Sequence, residues 1–254
     1  MLVSCTTLCM GRHSLAKVFE ALLEMEFTRY ELAVFQGSSH IRPSEVLEDP
    51  AKVASRMKAA HGLTCGAIYY CEKTSDPQKE KAYIRGLACL ARLTHVPVVT
   101  VLGNSKETDW DQEVERLGDL VSLGASEGVQ ICLATHGGTW ADNPADAIKL
   151  CAEVRGLALT FDPSHLCEFD LASKEMEEML SKVVHTHLRD SAKGPRPVQV
   201  KVGSGVIEHA KLINILEKLG YNRLLSIDLH EIPDYGFPVL PEVRKLKYLL
   251  ESSF

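Results

Sequence analysis

Short apolar runs alternate with amphipathic segments along the whole chain. The run 97–102 (Pro-Val-Val-Thr-Val-Leu) is continuously apolar or β-branched, which predicts a strand buried on both faces. The segments between such runs place apolar residues three or four apart, which predicts amphipathic helices. Helix starts are marked at Asp49-Pro50, Asp76-Pro77 and Asn143-Pro144, where an N-cap side chain precedes a proline. The pattern therefore predicts strands and helices in strict alternation.

The predicted strands begin at regular intervals, near residues 2, 28, 66, 97, 129, 157, 183 and 224. Eight strand-helix units within 254 residues fit a closed (β/α)8 barrel better than an open doubly wound sheet. No glycine-rich dinucleotide fingerprint follows the first strand, which argues further against the open sheet. We predict an α/β fold, a (β/α)8 TIM barrel, as a single domain over residues 1–254.

Composition excludes several classes of protein. Hydrophobic residues make up 45% and charged residues 24%, as in ordinary globular proteins. The net charge of −6 lacks the basic footprint of a nucleic-acid binder. The apolar runs fall short of the roughly 20 residues that a membrane helix needs. The eight cysteines lie mostly in apolar runs, and no signal peptide is evident. We expect buried free thiols and a cytoplasmic location.

Ligand-type side chains cluster at the predicted carboxyl ends of the later strands, where (β/α)8 barrels place their active sites. Asp162 and His165 follow the sixth strand, His185 and His187 lie on the seventh, and Asp228 ends the eighth. Strand alternation places His187 at the mouth and His185 one layer deeper. Asp162, His187 and Asp228 can therefore converge on one divalent cation. Such mixed ligands suit Mn²⁺, Zn²⁺, Co²⁺ or Fe²⁺ more than Ca²⁺.

Several motifs carry a resemblance to a known family. They are Cys132–Gly138 (CLATHGG), Leu159–His165 (LTFDPSH), Val184–Asp190 (VHTHLRD), Gln199–Gly205 (QVKVGSG) and Leu225–Asp228 (LSID). Together they resemble the xylose isomerase-like barrel family of sugar phosphate isomerases and epimerases, which also includes metal-dependent abasic-site endonucleases. The resemblance covers the whole chain and is most specific from about residue 129. It implies a metal at the mouth that binds vicinal substrate oxygens, and proton transfer between adjacent carbons by two carboxylates.

The resemblance implies roles for several residues, and it also shows where this chain differs from the family. Asp162 and His187 match metal ligands, and His165 matches a substrate-side residue. Asp228 stands where the family usually has Glu, and Ala134 stands where the family has the other Glu, on strand 5. Alanine can neither bind a metal nor move a proton. Proton transfer by two carboxylates therefore cannot proceed in the form usual for the family. Because one ligand is missing, we also expect the metal to be weakly held.

Other side chains near the mouth are candidates to complete the site. His136 lies two residues beyond Ala134 and is a candidate substitute for the missing carboxylate. Glu31 can contact substrate hydroxyls or pair with a basic neighbour inside the barrel, and Trp140 can stack on a sugar or simply pack in a loop. We predict the catalytic residues Asp228, His165 and His136, the substrate-binding residues Glu31, His165, Arg189 and Trp140, and the metal ligands Asp162, His187 and Asp228.

The function predicted from these residues is that of a metal-dependent isomerase or epimerase that acts on a sugar, sugar phosphate or keto-polyol. Dehydration is a possible variant of the reaction. We expect Ala134 to weaken or alter the activity. The alternative is a degenerate, non-catalytic barrel that binds a small polyol or sugar acid. DNA cleavage is not expected, because Tyr69-Tyr70 and Gly103 occupy regions where the endonuclease branch has extra histidines. The expected partner is a small-molecule substrate, without nucleic acid or membrane, and a homodimer is kept open.

The loop after the seventh strand leaves two readings open. Gly203-Ser204-Gly205 precedes a predicted helix, so its backbone N–H groups can bind a substrate phosphate. The same residues also suit a plain turn into the helix. Earlier in this loop, Lys193 and Arg196 are expected to be solvated.

Overall fold

Eight parallel strands close into a barrel in the computed structural model of the protein, which describes residues 1–194 and 198–254. Around the barrel, and closing back on the first, run β1 (Leu2–Thr6), β2 (Arg29–Val34), β3 (Thr64–Tyr70), β4 (Val98–Val101), β5 (Gln130–Ala134), β6 (Ala158–Phe161), β7 (Val183–Leu188) and β10 (Leu224–Ile227). Each strand begins within two residues of its predicted start. The predicted (β/α)8 barrel is confirmed.

Helices surround the barrel, and the predicted start signals are confirmed. Asp76 accepts hydrogen bonds from the backbone N–H groups of Gln78 and Lys79, and Asn143 accepts one from Asp146. These bonds satisfy donors that have no partner within the helix. In the described part of the chain the α-helices are α1 (Leu15–Glu24), α2 (Pro43–Glu48), α3 (Pro50–Lys58), α4 (Pro77–Thr94), α5 (Trp110–Ser126), α6 (Pro144–Glu153), α7 (Lys174–Leu180), α8 (His209–Lys218) and α9 (Val239–Glu251).

Three short elements, one helix and a pair of strands, depart from the predicted alternation. Helix α2 has only six residues, two of them buried, so it is too short to show a helical period. Strands β8 (Ser191–Ala192) and β9 (Val198–Gln199) form an antiparallel pair of two residues each in the loop after β7. A pair this short carries no alternation signal. Arg196, which lies between them, is outside the described residues.

The barrel interior is polar in its middle layer. The hydroxyl oxygens of Thr100 and Thr160 lie 2.7 Å apart, and both residues are fully buried. Ser4 and Ser226 pair in register on β1 and β10 and are also fully buried. The apolar core lies mainly between the strands and the helices. The interior can therefore accommodate hydrogen-bonded polar side chains beneath the mouth.

Asp190 organises the loop that enters α8. Its carboxylate accepts hydrogen bonds from the backbone N–H groups of Gly203 (2.8 Å), Gly205 (2.9 Å) and Ile207 (3.3 Å). These donors are therefore already satisfied within the chain. The arrangement favours the turn rather than the phosphate site at Gly203–Gly205.

The remaining global expectations concern thiols and membranes. All eight cysteines are free, as predicted, but only four are buried as expected and the other four are half-buried. Among the described residues, no helix combines the length and apolar character needed to cross a membrane.

Candidate active site at the barrel mouth

Glu31 of β2 reaches across the barrel to β7 and β10. It is fully buried, and its Oε1 atom accepts a hydrogen bond from His187 Nε2 at 2.9 Å. Its Oε2 atom accepts one from the Ser226 hydroxyl at 2.5 Å and lies 3.1 Å from His185 Nε2. Of the two roles expected for Glu31, the structure favours pairing with basic neighbours inside the barrel over contact with a substrate.

The Glu31 carboxylate and the His187 imidazole stabilise each other's charged form. Burial by itself raises the pKa of Glu31, but the neighbouring His187 and His185 hold it well below its usual range. Burial also lowers the pKa of His187, and the facing Glu31 and Asp228 carboxylates outweigh this and raise it to about 9. At neutral pH, Glu31 and His187 therefore form a buried ion pair.

Asp228 connects His187 to the rim of the barrel. Its Oδ2 atom lies 4.0 Å from His187 Nδ1, and its Oδ1 atom lies 3.0 Å from His230 Nε2. Burial opposes the charge of Asp228, but His230, His187 and Arg189 together hold its pKa well below the usual range. Gln199 fixes His230 through two hydrogen bonds to its backbone, of 2.7 and 3.0 Å. Asp228 is therefore a preorganised, ionised carboxylate.

Arg189 joins the ends of β6 and β7. Its Nη2 atom donates to Asp162 Oδ2 at 3.0 Å and to His165 Nε2 at 2.8 Å, while its Nε atom donates to the Ser164 hydroxyl. Asp162 also caps the short 3-10 helix Pro163–His165 by accepting from the Ser164 backbone N–H. Burial raises the pKa of Asp162, but the Arg189 charge outweighs it and the net shift is downward. The predicted ligand Asp162 is thus paired with the predicted substrate contact Arg189.

His165 and His136 stack at the mouth, with ring centroids 4.1 Å apart. Burial lowers the pKa of both, that of His165 to about 4, so both rings are neutral at pH 7. His136 Nδ1 lies 2.9 Å from the Gly137 carbonyl oxygen and must donate to it, since a carbonyl only accepts. The other nitrogen of His136, Nε2, therefore carries a lone pair that can accept a proton.

Trp140 is anchored to the segment that connects β4 and α5. Its indole N–H donates to the Thr108 carbonyl oxygen at 3.1 Å, and its ring packs edge-on against Trp110 with centroids 5.0 Å apart. The structure favours loop packing over the sugar-stacking role.

Two sets of metal-type ligands share His187. Among the described residues, Glu31, His185 and His187 bring one ligand atom each within 4.8 Å of one another. In the predicted set, His187 Nδ1 and Asp228 Oδ2 are 4.0 Å apart, a separation that one ion about 2.1 Å from each can bridge. The third member, Asp162, is bonded to Arg189. The donor types fit a divalent ion, and the exact ligand set stays a prediction.

Three residues outside the predicted site sets hold site residues in place. Ser226 and Gln199 hold Glu31 and His230 in place, and Ser164 orients Arg189. Ser226 has a signal in the sequence, because strand alternation puts it on the same face as Asp228, and Gln199 lies in the loop after the seventh strand, which can reach over the mouth.

Comparisons with known proteins agree with this fold. The family described as xylose isomerase-like TIM barrel matches residues 19–247, and the chain belongs to this family. Inosose dehydratase from Histophilus somni (strain 129Pt) is 27% identical over 169 residues, which is 58% of this chain and 56% of the relative. The match thus spans little more than half of that relative's length.

Solved structures share the fold over the full chain. A D-tagatose 3-epimerase-like protein aligns with a TM-score of 0.76 at 18% identity, covering 100% of this chain and 98% of that chain. The IOLI protein, solved with a zinc atom, aligns with a TM-score of 0.73 at 16% identity, covering 100% and 99%. At such identities the likeness is evidence of a common fold.

Proposed function

We propose that the protein is a metal-dependent enzyme that isomerises, epimerises or dehydrates a sugar, sugar phosphate or keto-polyol by proton transfer between adjacent carbons. The observation that carries this proposal is the pair of His187 Nδ1 and Asp228 Oδ2, which lie 4.0 Å apart at the mouth. The relatives support it, because their names include an inosose dehydratase and an epimerase-like protein. Both names refer to polyhydroxylated substrates.

In this proposal, Asp162, His187 and Asp228 hold Mn²⁺, Zn²⁺, Co²⁺ or Fe²⁺. When bound, such an ion polarises substrate oxygens and stabilises the negative charge that develops as a neighbouring C–H is deprotonated. Ala134 offers no fourth protein ligand, so retention of the ion is expected to be weak.

The chain's own groups then hold and move the proton. His136 has a free Nε2 lone pair and is neutral at pH 7, so it can act as the base in place of the absent strand 5 carboxylate. Asp228, held by His230, is the carboxylate on the other side of the mouth. Arg189 and His165 orient substrate oxygens beside Asp162.

The test begins with metal-stripped protein titrated with Mn²⁺ and Zn²⁺, followed by thermal unfolding. The loaded protein is then incubated in D₂O with keto sugars, sugar phosphates and inososes, and deuterium uptake at carbon is followed by NMR. Asp162→Asn should lose both stabilisation by the ion and exchange. Asp119→Asn, at an exposed carboxylate paired with Lys81, should lose neither. An Asp162→Asn variant that keeps both would show the proposal to be wrong.

A second candidate is a non-catalytic barrel that binds a small polyol or sugar acid. Two observations favour it: Ala134 lacks a carboxylate, and Asp162 is occupied by Arg189. This function predicts ligand binding without exchange in the wild type, and a gain in metal affinity in Ala134→Glu. Exchange in the wild type would rule it out.

The partner and location proposals are those of a small-molecule enzyme. We propose that the protein binds neither nucleic acid nor membrane, acts in the cytoplasm and assembles as a homodimer. Sedimentation at micromolar concentration tests the last of these, because a monomer would contradict it.

A further inference from the structure

Beneath the mouth, Glu31, His185 and Ser226 have no role in the proposed reaction, and together with the proposed ligand His187 they form an inner cluster. Its side chains are at most 2% exposed. We propose that Glu31 is a positioning residue that holds a proton of His187 on Nε2, so that Nδ1, which faces Asp228 and the mouth, is the nitrogen that gives up its proton when the ring becomes neutral or binds an ion. This inference rests on the proposed function, because it concerns the state in which His187 is presented to an ion.

The hydrogen bonds define the direction of the His187 ring. Glu31 Oε1 lies 2.9 Å from Nε2, and Glu31 Oε2 already accepts from the Ser226 hydroxyl at 2.5 Å. An ionised carboxylate only accepts, so Nε2 must be the donor. In a neutral imidazole, a proton on Nε2 leaves Nδ1 as the acceptor or metal-binding nitrogen. Nδ1 is also the atom that faces Asp228 Oδ2, at 4.0 Å.

Glu31 can enforce this state because it is braced from across the barrel. It stands on β2, which pairs with β1 and β3, whereas His187 stands on β7 between β6 and β10. The Tyr69 ring packs 4.7 Å from the His187 ring and restricts its rotation. A carboxylate behind a ligating histidine fixes its tautomer and raises its basicity.

The same side chains allow a rival reading, in which an ion binds inside the cluster. Glu31, His185 and His187 have the required spacing, and His185 Nε2 is buried without a hydrogen-bond partner of good geometry. That ion would occupy His187 Nε2 and displace its hydrogen bond to Glu31 in a closed interior. A neutral imidazole binds one ion through one nitrogen, so the inner and mouth positions exclude each other at His187.

The deciding experiment is long-range ¹H–¹⁵N NMR on full-length protein labelled with ¹⁵N-histidine and titrated with Zn²⁺. When Zn²⁺ is added, we expect the ¹⁵N chemical shift of His187 Nε2 to stay that of a protonated nitrogen and the chemical shift of Nδ1 to change. Changes in the signals of His187 Nε2 and of a His185 nitrogen would overturn the inference and the mouth ligand set, and the deuterium-exchange assay would then decide whether the protein is an enzyme. If Zn²⁺ changes the ¹⁵N chemical shift of neither His187 nitrogen, the proposed function fails. The inference is then decided on the Zn²⁺-free protein at alkaline pH, where the His187 ring is neutral: a proton on Nδ1 rather than on Nε2 would overturn it.

Three variants separate positioning from simple packing. Glu31→Gln should weaken Zn²⁺ binding about 10- to 100-fold, the range seen when a partner behind a metal ligand is lost, and should mix the His187 tautomers. Ser226→Ala, the control at the other carboxylate oxygen, should change affinity less than about threefold, because it leaves the Glu31 charge and the His187 bond in place. His185→Gln should bind Zn²⁺ like the wild type, whereas the rival reading requires it to lose binding. Unchanged affinity and tautomer in folded Glu31→Gln would overturn the inference. If Glu31→Gln does not fold, the wild-type NMR and His185→Gln decide.

Discussion

Replacing Arg189 by Met leaves the buried Asp162 carboxylate without its cation. Asp162 is 4% exposed and accepts from Arg189 Nη2 at 3.0 Å. Removing one partner of a buried ion pair costs about 3–5 kcal/mol, because the remaining charge stays desolvated. In a chain of this size, each kcal/mol shifts the unfolding temperature by about 2–4 °C. We therefore expect metal-free Arg189→Met to unfold about 6–20 °C below the wild type.

The assay is thermal unfolding with and without added Mn²⁺ or Zn²⁺. An ion at Asp162 would restore the missing positive charge, so the variant should gain more stability from the ion than the wild type does. Arg92→Met is the matched control: Arg92 pairs with Glu127 on the surface, where solvent screens the charges, so this variant should unfold close to the wild type. An Arg189→Met protein that unfolds within about 2 °C of the wild type would refute the claim that Asp162 depends on this cation.

Two further predictions concern pH and backbone. Burial lowers the folded-state pKa of His165 from 6.5 to about 4, so the unfolded chain takes up the proton first as the pH falls. As the pH falls from 6.5 to about 4, this group should lower the free energy of unfolding of the wild type by up to about 1.4 kcal/mol per pH unit, and it should have no effect above pH 6.5. The free energies of unfolding are measured in urea at each pH. If they change with pH in parallel in the wild type and in His165→Gln, the prediction is wrong. In Gly205→Ala the new Cβ would meet Asp190 Oδ1 at 2.0 Å, which should cost about 3 kcal/mol in urea unfolding. Gly118→Ala in α5 meets nothing within 4 Å and should instead gain up to about 1 kcal/mol; a loss of similar size in both variants would count against the clash.

The sequence predicts the barrel well because its elements are defined locally. Strand β4 (Val98–Val101) is buried at every position, so its apolar run reads directly as a buried strand. Helix α4 starts at the predicted residue because Asp76 and Pro77 supply the cap and the first turn. Such signals need no knowledge of distant residues, which is why strand starts agree to within two residues.

The site is less predictable because its contacts join distant parts of the chain. Glu31 lies 156 residues from His187 and 195 residues from Ser226, and no periodicity shows that these side chains meet. Strand alternation gives the face on which each one lies, but not its partner across the barrel. The pairing of Asp162 with Arg189 was missed for the same reason: both residues were predicted to lie at the mouth, and only the folded chain shows that they contact one another.

The contacts of Glu31 also bear on how the barrel comes apart. Its strand belongs to the N-terminal half of the barrel, whereas His187 and Ser226 belong to the C-terminal half. If the halves separated while Glu31 stayed buried, the carboxylate would lose both hydrogen bonds and its counter-charge, a state that is costly in a dry interior. A half-open intermediate is therefore disfavoured. We expect the two halves to melt together, as a single cooperative unit.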